Sequence, residues 1–247
     1  MTLSLTRRGT LAGLAAASVI RPAFAASASV DVLELFTSQG CSSCPPADRL
    51  LGTYAADRDV LALSYNVDYW DYLGWKDTLA KHAFTERQYA YSRVRGDNRV
   101  YTPQVVVNGA EHAVGSDRSA IESARRQTRH KLGDIQPAIT LAIDGGSVRA
   151  TVGSGRASGP ATLFMAAFAS DVQVMIERGE NAGRSVTYHN VVRTVVSAGS
   201  WTGREADLAV DRAKLGGGAD TLAAFVQSGD AARPGPILAA ATLALPG

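Results

Sequence analysis

Both cysteines of this chain fall in one stretch, TSQGCSSCPPAD at residues 37–48, directly behind the apolar run VDVLELF. They are three positions apart, and that placement constrains the fold more than any other feature. In the chain-entropy picture, a disulfide closing a four-residue loop stabilises by roughly 2 kcal/mol, against about 3 for a fifteen-residue loop. Cys41 and Cys44 are therefore a poor staple, and the fold must rest on an apolar core. Hydrophobic residues make up 46% of the sequence, enough to build one.

The chain opens MTLSLTRRGTLAGLAAASVIRPAFAASA. Arg7 and Arg8 form a positive end, residues 11–20 an apolar run, and Ala23-Phe24-Ala25 a small-x-small cleavage site. The run is shorter than the ~20 apolar residues a membrane span needs, so residues 1–25 read as a cleavable signal peptide. Thr6-Arg7-Arg8 with Leu11 resembles a twin-arginine signal, but Thr10 stands where that motif prefers Phe, and the general secretory route stays open. The expected location is periplasmic or secreted, where disulfides persist. Residues 26–247 contain no further apolar segment long enough for a stable membrane span. A net charge of +2 without a basic stripe gives no argument for nucleic acid. Arg125, Arg126, Arg129, His130 and Lys131 cluster at the end of an expected helix, where cations suit the helix dipole.

Residues 30–36 and 60–65 read as short buried strands, with little alternation. Helical stretches follow at ADRLLGTYAA and AFTERQYAYSRV. A third strand at 105–107 ends in Asn108-Gly109, a strong hairpin signal, and leads to a fourth at 112–114. SDRSAIESARRQTRH starts with a Ser cap and reads as a closing helix. The expected order is β-α-β-α-β-β-α. Beyond Pro137 the pattern changes to short apolar runs broken by turns, among them AITLAI, SVRATV, ATLFMAAFA, VQVMI and HNVVRTVV. Strands at that spacing suggest an all-β sandwich, with a domain boundary near 134–137.

A CxxC at the start of a helix has a specific chemistry. Unsatisfied N–H groups and the positive end of the helix dipole favour the thiolate of the first cysteine. The second, one turn on, can attack a mixed disulfide formed by the first. Cys41 is thus expected as an exposed nucleophile and Cys44 as a buried resolving thiol, with Ser42 and Ser43 able to donate hydrogen bonds to sulfur. A structural or vestigial disulfide in a non-catalytic binding module is the blander reading. A Cu(I)-binding metallochaperone is the alternative from another chemistry. It has little support, because His82, His112, His130 and His189 are dispersed. Met165 and Met175, on expected strands, read as packing residues.

These segments together resemble the thioredoxin superfamily. LELF followed by CSSC looks like the strand–CxxC–helix opening of the periplasmic DsbA-type oxidoreductases. YTPQVVVNG followed by GSD looks like the glutaredoxin segment carrying the cis-proline and the turn before the last helix. The resemblance implies a cis Thr102-Pro103 peptide beside the disulfide that offers its backbone to an extended substrate. It also implies thiol–disulfide exchange with protein thiols or disulfides as partners and no organic cofactor. The whole chain, including NVDYWDYLGW and RGENAGRSVTYHNVVR, resembles an uncharacterised family of secreted bacterial proteins with a thioredoxin-like domain. The fold class expected is α/β, a thioredoxin-like domain over residues 26–134 followed by an all-β sandwich-like domain over 137–247. Three departures stand out: a loop before Cys41 longer by one residue, Gly40 in place of an aromatic, and Pro45-Pro46 behind the CxxC.

Glu34 interrupts the first strand. It is either an edge position or a buried carboxyl that takes the proton of Cys44, resembling the acid in LEFF-type strands of the oxidoreductases. Tyr69, Trp70, Tyr72 and Trp75 read as a packed loop rather than a binding surface. Asp68 and Asp71 are a weak cation signal. ERGENAGRSVTYHNVVR reads as a solvated loop entering a strand and touching the first domain, and a catalytic role for His189 lacks a matching nucleophile.

Overall fold

The structure is a computed structural model and describes residues 30–133 and 136–245. The signal peptide expected over residues 1–25 lies outside the described residues. The first half runs β1 (Asp31–Thr37), α1 (Pro45–Ala55), β2 (Val60–Asn66), α2 (His82–Arg95), β3 (Gln104–Val107), β4 (Glu111–Val114) and α3 (Arg118–Leu132). Every residue of β1 and β2 is buried, which is why their sequences carry no alternation. α1 begins with Pro45 and Pro46, tolerated there because the first helical N–H groups have no intrahelical partner. α3 is capped by Asp117 rather than Ser116: its carboxylate accepts from the Ala120 N–H at 2.9 Å.

The second half supplies β5 (Ile139–Asp144), β6 (Ser147–Val152), β7 (Ala161–Ile176), β8 (Arg184–Trp201), β9 (Ala206–Asp211), β10 (Thr221–Gly229) and β11 (Pro234–Ala244). ATLFMAAFA and VQVMI are one strand, the 16-residue β7, and HNVVRTVV lies within the 18-residue β8. Their long antiparallel ribbon absorbs its curvature in two register shifts rather than in a turn.

The expected thioredoxin-like domain followed by a β-sandwich is not what forms. One mixed eight-stranded sheet, β11-β10-β7-β8-β2-β1-β3-β4, combines strands from both halves of the chain, with a separate three-stranded sheet, β5-β6-β9. The join is β8, which pairs in parallel with β2 at Ser64 and Val191. The Asn190 side chain donates to the Ala62 carbonyl at 2.8 Å beside it. The molecule is thus mostly strand, with few helices.

One face of the large sheet carries a continuous core. Val32, Phe36, Leu63 and Tyr65 there join Phe164, Phe168, Phe225 and Ile237, under Phe84 and Tyr91 of α2. The opposite face is divided. α1 and α3 cover β1–β3 through Leu51, Tyr54 and Ile121, and the small sheet covers β7, β10 and β11 through Ile139, Leu141 and Val148. Met165 is buried in that second core as a packing residue, whereas Met175, far along the ribbon, is exposed. The expected boundary near 134–137 falls between α3 and β5, and the core under α2 draws on residues from both sides of it.

Candidate functional site

Cys41 and Cys44 are joined by a disulfide, with Cα atoms 5.4 Å apart, in the turn between β1 and α1. Cys44 is the N-cap of α1. Pro45 and Pro46 supply no N–H, and the next two, from Ala47 and Asp48, are taken by the Cys44 carbonyl at 2.8 and 3.1 Å. The helix start therefore has fewer free donors for a thiolate than the sequence pattern suggested. Cys41 Sγ has the Ser43 hydroxyl 3.5 Å away.

Neither sulfur-bearing residue is open to solvent: Cys41 is 3% exposed and Cys44 is fully buried. The far end of the β7–β8 ribbon contacts this turn. Asn181, itself buried, donates its amide to the carbonyls of Gln39 at 3.0 Å and Cys41 at 2.8 Å. The ERGENAGRSV segment is otherwise exposed, a solvated loop that touches the CxxC turn through Asn181.

The aromatic loop frames the other side. Trp70 donates its indole N–H to Thr102 Oγ1 at 2.7 Å, and Trp75 donates to Gln39 Oε1 at 2.7 Å. Gly40 packs closely against this loop: a Cβ there would lie 3.0 Å from Trp70 Cβ. The Thr102–Pro103 peptide bond is cis. Pro103 reaches the first turn of α1 across Gly115, where a Cβ would fall 3.0 Å from Pro103 Cβ and 3.1 Å from Ala47 Cβ. Tyr72, stacked on Trp70, is the exposed member of the cluster.

Beside the CxxC turn, buried polar side chains cluster between α1 and the sheet. Asp48 stands four residues after Cys44, the spacing that puts two side chains on one helix face. Thr37 Oγ1 donates to Asp48 Oδ1 at 2.7 Å, while Asp48 Oδ2 is buried with no partner among the described residues. Ser64 Oγ and Asn66 Oδ1, on the α1-facing side of β2, are likewise buried and unpartnered. Asp77 accepts from the Gln39 N–H at 2.8 Å and from the Asn66 amide at 3.0 Å. Burial pushes the Asp48 carboxyl up to about 7, with the charge of Asp77 adding and the Thr37 hydrogen bond opposing. Burial, then the carboxylates of Asp48 and Asp77, push the Tyr188 hydroxyl well above its ordinary range. A carboxyl held near neutrality one helical turn from a cysteine that becomes a thiol on reduction is suited to accept or return a proton.

Glu34 lies elsewhere. β1 is an interior strand, and Glu34 points to its α2 face, away from Asp48 and α1. Arg87 binds both of its oxygens, at 2.8 and 3.1 Å, and the Tyr91 hydroxyl donates to it as well. Asp68 bonds His82 and Thr85, Asp71 accepts the Asp77 N–H, and His189 pairs with Asp171. Among the described residues no group of three or more His, Cys, Asp or Glu side chains could hold a metal ion, and no helix is long and apolar enough to cross a membrane. Sequence reasoning missed Asp48, Asp77 and Asn181. Only Asp48 carried a signal, its spacing from Cys44 in CPPAD.

The crystal structure of protein AGR_C_4864 from Agrobacterium tumefaciens is similar over 88% of this chain and 96% of its own, at 35% identity and a TM-score of 0.75. HBP35 of Porphyromonas gingivalis, at 15% identity and a TM-score of 0.60, covers 88% of this chain with 75% of its own and shares the fold alone. No curated protein matches. Residues 32–227 match the family described as protein of unknown function (DUF1223), and the chain belongs to that family.

Proposed function

We propose that this chain is an exported thiol–disulfide exchange protein whose partners are protein thiols or disulfides. Cys41 forms the mixed disulfide. Cys44 then attacks the Cys41 sulfur, a new Cys41–Cys44 bond forms, and the partner leaves as a thiolate. The proton of Cys44 passes to Asp48. The observation that carries this reading is Asp48, one helical turn after Cys44, with one buried oxygen unpartnered among the described residues and its carboxyl pushed up to about 7. A disulfide serving only to hold the turn has no use for such a group, and leaving a buried polar atom unbonded costs about 1–3 kcal/mol. Cys41 is buried, so exchange requires the turn that Asn181 holds to open.

The test is alkylation of the reduced single variants, with a search for trapped partners by mass spectrometry. Cys44→Ser should react through Cys41 and accumulate a mixed disulfide. Cys41→Ser should leave Cys44 nearly inert. The burial of Cys41 favours a second reading, a purely structural disulfide. That reading predicts that both substitutions lower stability alike and trap nothing. A Cu(I) carrier predicts that either substitution abolishes tight Cu(I) binding without capturing a protein.

A further inference from the structure

On the α2 face, one helix does not cover the whole width of the large sheet. Alongside the first turns of α2, the surface of β7 and β8 forms a cavity of about 680 Å³, within the ~300–1,000 Å³ range of small-molecule sites. Its apolar wall includes Phe84 and Phe164, both buried, and Val195, half-buried. Its charges are one-sided: Lys81, Arg87, Arg93 and Arg193 against Glu86 alone. Arg87 is already neutralised by Glu34. Arg193, half-buried in the cavity wall, is not: no carboxylate pairs with it among the described residues, and Lys81 donates to its carbonyl. A guanidinium without a counter-ion beside an apolar wall favours an anion with an apolar body, and a carboxylate matches its planar fork.

We propose that this cavity binds an organic monoanion with an apolar body, a medium-chain carboxylate. The carboxylate sits on Arg193, and the chain lies against Phe84, Phe164 and Val195. The site lies across the sheet from Asp48 and is independent of the disulfide chemistry. Apolar area supplies most of the affinity and the guanidinium supplies the choice of charge.

Isothermal titration of the oxidised protein with decanoate and with decan-1-ol tests this. Decanoate should bind, and decan-1-ol should bind at least about tenfold more weakly. Arg193→Gln should lower decanoate affinity by a similar factor, and Val195→Trp, which removes no polar group and fills the cavity, should abolish it. Cys44→Ser should bind as the wild type does. The proposal is overturned if decanoate gives no binding, if the alcohol binds as well, or if Val195→Trp leaves decanoate affinity unchanged. The last result holds whether or not Arg193→Gln folds.

Discussion

Two buried carboxylates lie on opposite faces of the strands that lead to the disulfide, and the protein treats them differently. Glu34 is fully buried, and both its oxygens are bound by Arg87, with Tyr91 as a further donor. Arg87 in turn bonds Gln227 of β10 at 3.0 Å and lies 5.0 Å from the Tyr91 ring centroid and 5.5 Å from that of Phe225. Asp48 is equally buried but has one oxygen bonded and the other empty-handed. A buried acid whose lone pairs are all satisfied serves the architecture. One left half-satisfied, near neutrality and beside a reactive group, is poised for proton transfer.

The largest effect should come from removing the second half of the chain. A fragment ending at residue 134 loses Phe164, Phe225 and Gln227, and with them the far side of the Glu34–Arg87 core. It should give no cooperative unfolding transition. A fragment that melts sharply would show that the Glu34 side is complete without β7–β11. Next in size is Arg87→Met, which strands the Glu34 charge and should destabilise by about 3–5 kcal/mol. Adding Glu34→Gln should recover part of that loss. A urea midpoint unchanged in Arg87→Met would contradict the architectural role.

Asp48 gives a smaller effect that depends on pH. Its folded value, about 7, lies above the ordinary 3.8. The unfolded chain therefore gives up this proton first. Stability is full below about pH 4, falls as pH rises toward 7, and reaches a loss of at most about 4 kcal/mol above that. Asp48→Asn has no proton to lose and should flatten this part of the curve between pH 4 and 8. Equal slopes for wild type and variant would place Asp48 among ordinary carboxylates. The smallest effect is at the helix start. Pro46→Ala restores an N–H worth roughly 0.3–1 kcal/mol to a nearby anion. It should lower the Cys41 pKa by a few tenths of a unit, read from alkylation rate against pH.

The same contrast separates what the sequence disclosed from what it hid. The helices and strands up to α3 announce themselves locally, through unbroken apolar runs and the Asn108-Gly109 turn, where both residues have positive φ. The pairing of Ser64 with Val191 leaves no local trace, because a parallel neighbour far along the chain imposes no spacing rule. Nor does the fusion of ATLFMAAFA with VQVMI. Ser170, at that joint, bonds its N–H and hydroxyl to Asp220 and keeps the strand running where a turn was expected. At the site, the two cysteines were plain, and Asp48 was legible as a spacing but read as part of a helix. Asn181 was invisible, since a single amide in a polar loop looks like any other.

The central claim is that Asp48 takes the proton of Cys44 when the mixed disulfide on Cys41 is resolved. Its most direct measurement is the reaction of the reduced protein with an aromatic disulfide that releases two chromogenic thiolates in succession. The first release reports attack by Cys41, and the second reports resolution by Cys44. In the wild type the second phase should rise with an inflection near pH 7. In Asp48→Asn it should slow by roughly tenfold or more and lose that inflection, while the first phase is unchanged. A second phase with the wild-type rate and pH profile in Asp48→Asn would contradict the account.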